Sequence, residues 1–230
     1  MQADQFAEFV AAIVQSLPRD MDSTTAQGWI SNRKALAKVL QQALVPSPEM
    51  QSFLNHTGTI QVQPVTRFVA RDFFKVNTKK NASVKISYVW ENFTTWFLDK
   101  VEELPSTNDT GLSDCPYRTS GENGKEGVTL RYQTLTRSSV DGQIIAALGG
   151  DIKAETTLAQ IADCLKQQAN GKNGALFTNG YANIFYVRDV SGVLRTVHVR
   201  WDGVGWSVNA DSVEHPDEWS AGYQVFSCDS

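Results

Sequence analysis

The chain has little of what most chemistries require. It holds three cysteines and three histidines in 230 residues. Cys115, Cys164 and Cys228 are widely spaced and form no CxxC, which argues against a disulfide framework and a thiolate zinc site and for reduced thiols in the cytoplasm. No apolar run approaches the roughly 20 residues of a membrane span. Acidic residues outnumber basic ones, 25 to 21, for a net charge of −4. That balance argues against nucleic acid and membrane surfaces as partners. The opening MQADQFAEFVAAIVQSLPRD lacks the basic n-region of a secretory signal. Sequons at Asn55, Asn81, Asn92 and Asn108 carry no meaning without secretion. There is no GxSxG, no cysteine–histidine signature, and no glycine-rich loop in a strand-to-helix context. No cofactor is implied.

What is present is ordinary globular material, 41% hydrophobic and 20% charged, enough to bury a core without staples. Phe6, Phe9, Val10, Ile13, Val14 and Leu17 recur at helical spacing and stop at Pro18. Asp22 or Ser23 caps a second short helix, and Ser31 or Asn32 a third, striped by Leu36, Val39, Leu40, Ala43 and Leu44. Residues 1–45 therefore read as a helical module, expected to dock on the rest of the chain. Its charges balance, which argues against a DNA-binding helix-turn-helix. PSPEM, at 46–50, marks the linker.

Residues 46–230 read as an α+β domain. TIQVQPV, FFKVN, VKISYVW and VTLRYQTLTR have strand character, although FVARDFFKV is also compatible with a helix. ENFTTWFLDKVEEL turns helical, with Phe93, Trp96, Phe97 and Val101 on one face. SVDGQIIAAL is a short helix stopped by Gly149 and Gly150, and TTLAQIADCLKQQANG a longer one with Leu158, Ile161, Ala162 and Leu165 inward. The stretch 105–127, rich in Ser, Asn, Asp and Gly, reads as a flexible loop. The fold class is thus α+β: an N-terminal helical layer, then a mixed, mainly antiparallel sheet body ending in a C-terminal β-meander over 179–227.

The meander supplies the candidate site. A turn at DVSG that pairs Arg188 with Val193 sets Asn183 opposite His198, and a turn at DGVG sets His198 opposite Asn209. One face then collects Ile184, Val197, Val199, Trp201, Trp206, Val208 and Ala210 as core. The other collects Tyr181, Asn183, Phe185, His198, Arg200 and Asn209. His198 can donate or accept a hydrogen bond, the asparagines orient a ligand, and Tyr181 and Phe185 wall it. The plainer alternative is a solvated sheet face. Glu214, His215, Asp217 and Glu218, around a proline, read as an exposed turn rather than a metal site. The basic residues from Arg67 to Lys100 read as a solvated face.

Three segments together resemble an uncharacterised family of hypothetical proteins from candidate-phylum bacteria. They are LPRDMDSTTAQGWISNRKALAKVLQQAL, TLRYQTLTRSSVDGQIIAALGGDIKAETTLAQ, and NGYANIFYVRDVSGVLRTVHVRWDGVGWSVNADSVEHPDEWSAGYQVFS with its P-x-E-W-x-x-G-x-x-V-F-S close. Relative to that family, 105–127 looks like an insertion. The resemblance implies a bacterial source and carries no activity and no functional residues. The expected role is a binding or interaction module that takes a protein partner or a small polar ligand at the His198 face. The alternatives are a hydrolase with its site between the 105–127 loop and the meander, or an immunity-like accessory protein.

Overall fold

The structure, a computed structural model, describes residues 3–16, 22–44, 53–63, 65, 67–103 and 128–228. The chain divides into two compact units, Met1–Ser47 and Pro48–Ser230. The first consists of α1 (Ala3–Ser16), α2 (Ser23–Ser31) and α3 (Arg33–Leu44). Asp22 caps α2 by accepting from the Thr25 backbone N–H at 2.9 Å, and Asn32 caps α3 by accepting from Ala35 N–H at 3.1 Å. Both satisfy amides that a helix start leaves without partners.

The second unit is built on a seven-stranded mixed sheet. Its strands are β1 (Leu54–Val62), β3 (Ile86–Val89), β5 (Val128–Leu135), β6 (Asn183–Arg188), β7 (Leu194–Trp201), β8 (Trp206–Ser212) and β9 (Gln224–Cys228). Their order is β1-β5-β9-β6-β7-β8-β3, antiparallel except where β9 meets β6 and β8 meets β3. A two-stranded sheet joins β2 (Arg67–Val69) to β4 (Val101–Glu103). FVARDFFKV divides between the two expected forms, β2 followed by the single turn α4 (Ala70–Phe73). FFKVN is no strand; Asn77 makes only an isolated bridge to Ile86. The loop expected at 105–127 lies outside the described residues. Among the described residues no helix is long and apolar enough to cross a membrane.

Helices cover the sheet on both faces, and each face has its own core. On one, Phe93 and Phe97 of α5 (Glu91–Phe97) and Leu158, Ile161, Ala162 and Leu165 of α8 (Leu158–Gln167) pack with Phe185, Val197, Val199, Trp206 and Val208. On the other, Ile144 and Ile145 of α6 (Asp141–Leu148) and Ala154 of α7 (Asp151–Ala154) pack with Ile184, Tyr186, Leu194 and Val225. Gly149, at φ 101°, closes α6 in the left-handed conformation that glycine adopts without steric cost. Thr157 and Gln160 form a capping box at α8. The buried Glu102 adds a remote cap, accepting from Leu158 N–H at 2.9 Å and Ala159 N–H at 2.8 Å. Burial raises its pKa, and those two bonds oppose the rise.

Cys164 is a buried free thiol, with its pKa raised by burial. Cys228 is disulfide-bonded, so the reduced state expected of the cysteines does not hold throughout.

Candidate polar cavity on the meander

The β6–β7 hairpin decides which side chains reach the site. Asp189 and Val193 close it through Asp189 N–H donating to the Val193 carbonyl at 2.8 Å. Val190, Ser191 and Gly192 form the loop, with Gly192 at φ 79°. Arg188 consequently pairs with Leu194 rather than Val193, and Asn183 with Val199 rather than His198. This is a three-residue loop with a left-handed glycine, and it shifts β6 by one residue from the expected register. A one-residue shift moves every β6 side chain to the opposite face.

Asn183 and Phe185 therefore leave the His198 face. Asn183 is buried and donates to Phe177 and Val199 carbonyls while accepting from Phe177 N–H. Phe185 stacks on Phe226 at 4.5 Å in the core. Ile184 and Tyr186 take their places. The β7–β8 register is as expected, with His198 opposite Asn209 and Trp201 opposite Trp206. Tyr181 is exposed beside Tyr223, ring centroids 5.6 Å apart. Arg200 lies over the same Tyr223 ring at 6.0 Å. Of the six expected site residues, His198 and Asn209 line one cavity, and Tyr181, Asn183, Phe185 and Arg200 are not among its lining residues.

That cavity, about 350 Å³, is lined by Asp141, His198, Asn209, Asp211, His215, Asp217, Glu218 and Trp219. It joins two stretches that read separately in the sequence, the meander and the VEHPDEW turn, and adds Asp141 from the start of α6. Asp141 was not legible as a site residue, because nothing local marks it among the exposed acids of the chain. It is buried, and its Oδ1 accepts from Tyr186 Oη and Trp219 Nε1, each at 2.8 Å. Burial raises its pKa, and those two donors oppose the rise. The bond from Trp219 holds the indole as a wall, edge-on to His198 at 5.1 Å.

His198 Nε2 lies 3.1 Å from Asp211 Oδ2. This hydrogen bond lowers the Asp211 pKa, against burial. His198 Nδ1 is buried and makes no hydrogen bond. On the rim His215 Nδ1 sits 3.6 Å from Asp217 Oδ2. The cavity thus presents four carboxylates and two imidazoles, and among the described residues no lysine or arginine lines it. Among the described residues no group of three or more histidine, cysteine or carboxylate side chains is arranged to hold a metal ion.

Comparison with protein families, with curated proteins and with solved structures found no match for this chain.

Proposed function

We propose that this cavity binds a small polar ligand carrying a cationic, hydrogen-bond-donating group such as an amine or guanidinium. The observation that carries the reading is the lining: Asp141, Asp211, Asp217 and Glu218 share one half-enclosed space with no basic side chain among the described residues. A cation entering it meets acceptors on several sides, and the Trp219 ring adds an apolar, polarisable wall. Binding is favoured over the hydrolytic alternative by the state of His198. A histidine base must offer one nitrogen to the substrate, whereas here Nε2 is engaged by Asp211 and Nδ1 is buried.

The bacterial source implied by the family resemblance belongs with this reading. The cytoplasmic placement rested on reduced thiols; the Cys228 disulfide supports an oxidising compartment instead.

The test is a thermal-shift series with primary amines, guanidinium compounds, polyamines and amino acids, and with dicarboxylates and neutral sugars as controls. A ligand at 100 times its Kd adds about 2.7 kcal/mol, which raises Tm by roughly 5–10 °C in a chain of this size. The cations shift Tm, and Asp211→Asn combined with Glu218→Gln removes the shift while the variant still melts cooperatively. Equal shifts from the dicarboxylates, or a cation shift that survives the double variant, would overturn the reading.

A further inference from the structure

Several apolar side chains of the N-terminal unit are exposed. Phe9, Val10 and Val14 of α1 are 38%, 41% and 62% exposed, and Val39 of α3 is 45% exposed. Among the described side chains of residues 7–40, none is buried. The spacing of apolar residues in the sequence of the two helices is that of a helix–helix seam. Phe6, Val10 and Ile13 succeed one another by four and three residues, and so do Leu36, Leu40 and Ala43. The two helices are also matched in length, 14 and 12 residues, or about 21 and 18 Å.

Their charges are opposite and unmixed. α1 carries Asp4 and Glu8 and no basic residue; α3 carries Arg33, Lys34 and Lys38 and no acidic one. An anionic lipid surface would repel α1. The chain's own α3 leaves Phe9, Val10 and Val14 exposed. A second copy brings complementary charge, and two-fold symmetry makes the pairing twice, since a contact from α1 to the partner's α3 is repeated from α3 to the partner's α1. We propose that the N-terminal unit is a self-association surface, in which α1 and α3 of two chains pair in a four-helix arrangement. In such bundles apolar seams close at shallow crossing angles while flanking charges set the choice of partner.

Sedimentation of the full chain from about 1 to 200 µM, a span that covers weak to moderate affinities, tests this. The expected result is a reversible dimer that weakens as salt screens the charges. Val10→Glu with Val14→Glu raises the dissociation constant more than about tenfold. Because those changes also burden the helix itself, Glu8→Lys and Lys34→Glu supply a second test on polar positions. Each alone weakens the dimer, and the two together recover it. A chain that stays monomeric throughout, the result if the stripes are covered within one molecule, overturns the proposal. So does a dimer indifferent to Val10 and Val14, or a loss with Glu8→Lys that Lys34→Glu leaves unrepaired.

Discussion

Asp141 and Asp211 are one residue type in one cavity, pushed in opposite directions by what surrounds them. Burial dominates at Asp141, so its carboxyl holds a proton to higher pH in the folded chain than in the unfolded one. The stability this lends is complete below the ordinary carboxylate range and is lost as pH rises through the raised folded value. Asp211, held in its charged form by His198, has the reverse sign: its contribution is present above the ordinary range and is lost as pH falls through the depressed folded value. Urea midpoints between about pH 2 and 7, spanning the ordinary carboxylate values and those on either side of them, separate the two. Asp141→Asn, whose amide oxygen still accepts from Tyr186 and Trp219, keeps more of its stability than the native chain as pH rises; parallel profiles would refute the assignment. Tyr186→Phe removes one of the two donors to a buried carboxylate and costs about 1–3 kcal/mol at neutral pH.

At the level of elements, the β6–β7 hairpin depends on Asp189. Its Oδ1 accepts from Ser191 N–H at 2.8 Å and Val193 N–H at 3.0 Å, and its Oδ2 from Arg195 Nε at 2.9 Å. The carboxylate is nearly enclosed, so Asp189→Ala leaves donors without partners and costs about 1.5–3 kcal/mol. Gly192→Ala, forced into a left-handed conformation, costs about 1–2 kcal/mol. Denaturant midpoints check both, and a change under about 0.5 kcal/mol, the range of inert surface substitutions, would deny the loop its role. Much of the architecture was legible in sequence, because α1, α2, α3, α6 and α8 announce themselves by stripe, cap and stop residue, and β7–β8 by its turn. The β6 register was not. The fragment DVSG suits more than one loop length, and the signal that could have settled it lay in the strand. Ile184, Phe185, Tyr186 and Val187 run apolar without alternation, which marks a strand buried on both faces rather than one with a wet side. That reading would have removed Asn183 and Phe185 from the site. His198 and Asn209 face each other as their hairpin's turn predicts, while Asp141 joins the same cavity from an element 57 residues earlier in the chain than His198, a juxtaposition only tertiary structure makes.

For the whole molecule, covalent state is the first property to check. Cys228 ends the central region of the sheet in β9 and is disulfide-bonded. Alkylation of the denatured, unreduced chain therefore spares Cys228 and labels Cys164; labelling of Cys228 without reductant would restore the reduced-thiol view. The larger consequence belongs to the hairpin loop at Val190–Gly192. Surface loops ordinarily absorb insertions and deletions at little cost, because nothing packs against them. This one is exposed at its tip and yet counts residues for two cores at once. Adding or removing a single residue there would ask β6 to present Phe185 to the α6 side and Tyr186 to the α8 side, exchanging the contents of two compartments shaped for different side chains. Variation in sequence at Val190 and Ser191 is tolerable, but variation in length is not, and a library of one-residue loop insertions across the chain would find its deepest intolerance at a site that solvent accessibility alone would mark as free.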